Sequence, residues 1–413
     1  MNNATTTAPP RRSFAALRHP GYRGFFLSFA GAMMADSVEH VISYWMMFEK
    51  FQSNALGAFA VVSHWLPFLL LSLPVGALTD HFDPRRLIQI GMVIFMGVSL
   101  AWGALFLTDT LEVWHAMVLL TLHGIAGVLW TPTAQVLLHH VVPAEDLQSA
   151  VRLNATSRQL GLLGGPAIGG ALLMLLGPTH GILLNAFFYL PTIAWLWKAP
   201  YSRAAAGQGP PRRALLSLSD VTSTLRRIGS HKTLLSMILL SGGASFFIGN
   251  AYLPQMPDFA RSLGHADADL SYSVLLGADA VGALTAGFIL ESRGWLAPNP
   301  RTAMILAMLW CAALAGFAMS SVYSLAVLLL FIAGFMDLSF NSMAQTLVQL
   351  NAPADIRGRV LGVFSMMALG LRTFSGVTVG LMGAAIGIHT SLTLSALALI
   401  ALSALLLVRS SKA

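Results

Sequence analysis

Apolar runs of roughly 20 residues recur along almost the whole chain, each long enough to cross a hydrocarbon core about 30 Å thick. They fall at about 22–48, 55–79, 86–107, 114–139, 149–176, 180–198, 233–256, 270–290, 302–320, 324–348, 359–386 and 389–408. A soluble fold has no place for twelve such segments. Composition agrees: 56% of residues are apolar and 10% charged, against about a quarter charged in soluble domains. The expectation is an all-α membrane protein with twelve transmembrane helices embedded in a lipid bilayer. The first apolar run follows a polar segment with Arg11, Arg12 and Arg18, and no small-residue cleavage site succeeds it. It reads as a retained helix, not a removed signal peptide. The single cysteine, Cys311, excludes an intrachain disulfide.

Connections between spans are short except at 199–231, where Arg203, Gly207, Gly209, Pro210, Pro211, Arg212, Arg213, Arg226 and Arg227 give a linker composition. This predicts an N-terminal bundle over 1–198 that includes a polar N-terminal tail. A linker over 199–231 and a C-terminal bundle over 232–413 follow. An even number of spans puts both termini on one side, together with Arg18, Arg85, Arg86, the linker, Arg293, Arg301, Arg357, Arg359, Arg409 and Lys412. The other side keeps only Lys50 and Arg261. By the positive-inside rule, termini and linker are cytoplasmic. The net charge of +7 is spread over these loops, which argues against nucleic-acid binding. No nucleotide-binding loop, nucleophile elbow or zinc-protease pattern is present, so no enzyme chemistry is expected.

The halves echo each other. The second span ends in Gly76-Ala-Leu-Thr-Asp80-His-Phe-Asp83-Pro-Arg85-Arg86, the eighth in a reduced version, Gly287-Phe-Ile-Leu-Glu291-Ser-Arg293. The loops Val142-Pro143-Ala144-Glu145-Asp146 and Ala352-Pro353-Ala354-Asp355-Ile356 stand in matching places, which suggests parallel repeats. Gly76 permits close helix approach. Asp80 can sit at a neighbouring helix N-terminus and pair with Arg85 or Arg86, forming a latch between the halves. The Gly76–Arg86 segment resembles the cytoplasmic loop motif of the major facilitator superfamily. Gly161, Gly165, Pro166, Gly169 and Gly170 resemble that superfamily's antiporter motif, associated with exporters. From His19-Pro-Gly-Tyr-Arg23 to Pro353-Ala-Asp-Ile-Arg357-Gly358-Arg359-Val360, the chain is similar to the group containing the bacterial enterobactin exporter and macrolide efflux proteins. The resemblance implies two pseudo-symmetric six-helix bundles in a bacterial inner membrane. It also implies export of an amphipathic small molecule, a siderophore or drug, in exchange for protons, with no bound cofactor and a monomeric unit. One departure is the stretch Leu119-Leu-Thr-Leu-His123-Gly124, which lacks the Arg of many proton-coupled drug exporters.

Charges at membrane depth are functional candidates, since each is costly unless paired or hydrated. Asp36, Arg158, Asp279, Asp337 and Arg372 all fall near mid-depth. Asp36, Glu39 and His40 share one helix face by i, i+3 and i+4 spacing. Asp36, Glu39 and His40, with Arg158, are expected as the proton or cation site, and Arg158 and Arg372 as counter-charges or anchors for an anionic cargo. Asn341 and Gln345 extend the stripe from Asp337. Trp45, His64, His123 and Trp130 complete the expected cavity. His64 and His123 are either packing residues or, with Glu39 and His40, a proton relay or divalent-metal site, although no dense metal-ligand spacing is present. Export of a divalent metal ion and uptake by symport are the alternative functions. Bends are expected at Pro132 and near Pro254.

Overall fold

The computed structural model describes residues 13–51, 54–200, 218–249, 251–264, 268–293, 296–375, 378–379 and 382–411. Arg11, Arg12, Lys412 and the linker residues from Arg203 to Arg213 lie outside them. Among the described residues the chain is helical and no strand forms. The first half holds α1 (Pro20–Phe51), α2 (Asn54–His81), α3 (Pro84–Leu107), α4 (Val113–Val141), α5 (Leu147–Phe187) and α6 (Leu190–Lys198). Then follow α7 (Leu218–Ser230), α8 (Lys232–Phe247), α9 (Met256–Ser262), α10 (Ala268–Arg293), α11 (Pro300–Met319) and α12 (Tyr323–Asn351). The chain closes with α13 (Arg357–Ser365), α14 (Arg372–Ser375), α15 (Met382–Ile386) and α16 (Ile388–Ser411). Starts follow local chemistry. Asp83 caps α3 by accepting from the Arg85 amide, and Asn299 caps α11 the same way at Arg301, each with proline at the first helical position.

Among the described residues, nine helical runs are long and apolar enough to cross a bilayer, not twelve. The shortfall has local causes. The expected fifth and sixth spans run on as one helical stretch but bend at Gly177, inside the break expected between 176 and 180; its φ of 72° and ψ of 170° suit only glycine, and Pro178 follows. The seventh begins as the short apolar α8; Gly249 then takes φ 50° and a 3-10 turn leads into α9. This is the break expected near Pro254. The eleventh is interrupted by π-helix at Met366–Gly370 between α13 and α14. Pro132, by contrast, lies inside an uninterrupted α4.

Part of the segment 199–231 is helical. Residues 218–230 form α7, with Thr224 and Ile228 buried at i and i+4 on one face and Leu225 exposed. Arg227 pairs with Asp355 at 2.5 Å, and Asp220 lies 3.5 Å from Arg359. The Arg227 guanidinium holds the Asp355 carboxyl below its usual range. The two largest apolar cores lie mostly one in each half, Tyr22, Phe95 and Leu137 in the first and Met237, Phe317 and Phe340 in the second, with Val136 of α4 joining the second.

Candidate transport site

Three helices of the first half bring together a buried acid–imidazole cluster. α1 supplies Asp36, Glu39 and His40, α2 supplies His64 and α4 supplies His123. Asp36, Glu39 and His123 are each less than a tenth exposed. Glu39 accepts from His123 Nδ1 at 2.6 Å and from Ser99 Oγ at 2.5 Å. Asn185 Nδ2 in turn donates to Ser99 Oγ at 3.3 Å and to the Ala35 carbonyl at 3.0 Å. His40 Nδ1 donates to the Asp36 carbonyl at 2.8 Å. His123 Nε2 lies 2.8 Å from Asp36 Oδ1, at ion-pair distance but off the line of a hydrogen bond. Ring centroids of His40 and His123 are 4.6 Å apart, those of His40 and His64 5.0 Å. The glycines of α5 position this cluster. A Cβ at Gly161, Gly165 or Gly169 would run into Met33, Ser37 or Val41, so these three form the stripe on which α1 lies.

A second centre lies between the halves. A cavity of about 100 Å³ is lined by Gln135, Asn154, Arg158, Asn341, Gln345 and Arg372, with Phe29, Phe364 and Leu369 as apolar wall. Asp337 accepts from Asn341 Nδ2 at 2.7 Å and faces the charges of both Arg158 and Arg372. Arg372 stands over the Trp65 ring, 5.0 Å from its centroid. Asp279 is beside Asp337, with the Tyr252 hydroxyl 3.4 Å away.

The halves are tied at the arginine-rich end. The Asp80 carboxylate, at the end of α2, accepts from the amides of Gly358 (2.5 Å) and Arg359 (3.1 Å) at the start of α13, and from Arg359 Nε at 3.2 Å. Gly76 makes the approach possible, since a Cβ there would stand 2.9 Å from Gly362 Cα. A matching contact joins α10 to α5. Glu291 accepts from Ser149 Oγ. Arg152 donates to the carbonyls of Leu290 (2.9 Å) and Leu296 (2.7 Å), and Gln148 to Leu296 (2.7 Å). Leu296 takes φ 66°, rare for a branched side chain, and this turn presents its carbonyl to both donors.

Several expectations are corrected. Asp80 does sit at a helix N-terminus, but its arginine is Arg359. Arg85 closes on Asp83 at 2.7 Å and Arg86 on Gln89 at 3.0 Å, because α3 starts afresh at Pro84 and turns both side chains onto its own first turn. Arg158 belongs with Asp337, not with Asp36 and Glu39. Trp130 is a core residue, 3% exposed and packed on Phe29. Trp45 is 42% exposed and lines no part of the central cavity. Within the antiporter motif, Gly164 and Gly170 face open space and Pro166 is exposed. Ser99, Asn185, Ser149, Arg152 and Gly362 were not singled out by sequence, and Gly358 entered only as part of the segment Pro353–Val360. The tandem of matching loops was the available signal for the last four.

The profile of a family described as transmembrane secretion effector matches residues 11–412. An uncharacterized MFS-type transporter of Bacillus subtilis (strain 168), YfiS, is 26% identical over 323 residues, 73% of this chain and 72% of that one. The multidrug efflux pump Tap of Mycolicibacterium fortuitum is 23% identical over 363 residues, covering 84% and 85%. Among solved structures, the proton:xylose symporter XylE superposes with TM-score 0.69 at 15% identity, covering 92% of this chain and 94% of that one. A bacterial homologue of the iron transporter ferroportin in an outward-facing state also gives 0.69, at 17% identity and covering 95% and 100%. These likenesses establish an all-α fold of two helical bundles.

Proposed function

The chain belongs to the transmembrane secretion effector family of the major facilitator superfamily, and on that premise we propose that it exports an amphipathic, drug-like small molecule in exchange for protons. The arginine-rich end is then cytoplasmic in a bacterial inner membrane, and a monomer suffices. The contacts at Asp80 and Glu291 close the cytoplasmic side, so the conformation is the outward-facing or occluded one of an alternating-access cycle.

The observation that carries this reading is the position of Asp337, held by Asn341 of the cavity lining and facing Arg158 and Arg372 from opposite halves. Around it stand Arg158 on α5, Arg372 on α14, Asp279 on α10, and behind them Tyr252 and Cys311. Linkage fixes the sign of coupling. A cargo that donates hydrogen bonds or positive charge to Asp337 needs it ionised, so proton and cargo exclude each other, which is antiport. An anionic cargo docked on Arg158 and Arg372 would favour protonated Asp337, and proton and cargo would travel together. Export driven by proton entry therefore selects the donor or cationic cargo over the anionic one expected from the two arginines. Trp65, Phe29 and Phe364 supply apolar contact for its body. The efflux relative points the same way.

The test is flux in liposomes holding the purified protein, with a fluorescent lipophilic amine as cargo and an imposed pH gradient. Counterflow of amine and protons is expected. Asp337→Asn should abolish coupled flux while leaving amine binding independent of pH. Amine and protons moving in the same direction would establish uptake symport instead. A second reading, export of a divalent metal ion, has one observation in its favour, the convergence of three imidazoles from α1, α2 and α4.

A further inference from the structure

We propose that His40, His64 and His123, together with Asp36, form a binding site for one divalent transition-metal ion of the zinc, cobalt and nickel class. One nitrogen from each of the three rings lies within 4.8 Å of the others. Tetrahedral coordination at 2.0–2.1 Å per bond needs nitrogens about 3.3 Å apart, which small side-chain rotations supply.

Hydrogen bonding has already set which nitrogens are free. His40 Nδ1 is bound to a backbone carbonyl, which can only accept, so that nitrogen carries the proton and Nε2 keeps its lone pair. His123 Nδ1 is bound to Glu39, whose other oxygen is held by Ser99. This is the carboxylate–histidine arrangement that orients a metal-bound imidazole. It leaves His123 Nε2 at 2.8 Å from Asp36 Oδ1, a contact that one shared cation holds together, a proton or in its place a metal ion. His64 Nδ1 is buried without a hydrogen-bond partner. Asp36 and Glu39 balance the charge of a divalent ion, and imidazole donors select a transition metal over magnesium or calcium. The His40 side chain keeps 20% exposure, which gives a route of entry.

The test reads binding alone and so stands apart from cargo and direction. Full-length protein without a tag, stripped by chelator and held in nanodiscs, is titrated with Co²⁺. One saturable equivalent with the visible absorption of tetrahedral Co²⁺ is expected, displaced by Zn²⁺. His64→Gln should weaken binding at least about tenfold, and so should Ser99→Ala through the orienting carboxylate. His115→Gln, at the exposed start of α4, should bind as wild type. A melting transition for each variant separates lost ligands from lost fold. Folded wild type with no saturable band, or equal binding by His64→Gln and His115→Gln, would overturn the assignment and leave a proton bridging His123 and Asp36.

Discussion

Asp80 is 7% exposed and holds three donors from the opposite half, two of them amides of a helix N-terminus. Hydrogen bonds to a charged group are worth roughly 1.5–3 kcal/mol each, and the helix terminus adds its own preference for negative charge. Asp80→Asn keeps the shape, removes the charge and turns a donor toward two amides that must donate. A loss of about 2 kcal/mol from the closed state shifts the open-to-closed ratio about 30-fold. Spin labels at Phe82→Cys and Leu350→Cys, exposed at the arginine-rich end of each half, in a Cys311→Ala background, should report a longer distance. An unchanged distance distribution would reduce Asp80 to a packing residue.

At the scale of elements, the antiporter-like glycines act by which face they occupy, not by their count. Gly165 meets Ser37, the neighbour of Asp36, while Gly164 meets nothing within 4 Å. Gly165→Ala should therefore lower stability by about 1–3 kcal/mol as an overpacked contact. Gly164→Ala should be neutral or stabilise by up to about 1 kcal/mol through helix propensity. Thermal melting of both variants in detergent checks this, and equal damage from the two would sink the stripe. The same distinction marks what was legible in sequence. Span positions were legible because each depends on local hydropathy, and Asp36, Glu39 and His40 shared a face by helical spacing alone. The pairing of His123 with both acids, and of Asp80 with Arg359 over Arg85, depends on which helices touch. A single sequence carries no such long-range information. Trp130 and Trp45 were misplaced for the same reason, since an aromatic side chain suits core, lipid and cavity alike. The break at Gly177 was legible, since it falls between the expected spans 149–176 and 180–198, whereas the π-helical interruption of the eleventh span was hidden by continuous apolar character.

The whole molecule is closed at one end by two contacts in corresponding places, α2 on α13 through Asp80 and α10 on α5 through Glu291, Ser149 and Arg152. The second uses the reduced copy of the loop motif, with the roles of the halves exchanged. Each half thus presents an acid at the end of one helix to the start of a helix in the other. A rocking transition must break both contacts, so their contributions to the closed state should add, as independent sites with no shared partner do. Glu291→Gln alone should open the arginine-rich end less than Asp80→Asn, because its carboxylate holds the Ser149 hydroxyl and the Phe14 amide and not two amides of an α-helix N-terminus, while the Arg152 carbonyl contacts persist. In the double variant, the logarithm of the open-to-closed ratio, read from the same spin-label pair, should equal the sum of the single shifts. A double variant no more open than Asp80→Asn would mean that the α2–α13 contact alone holds the end shut and that the α5–α10 contact follows it passively.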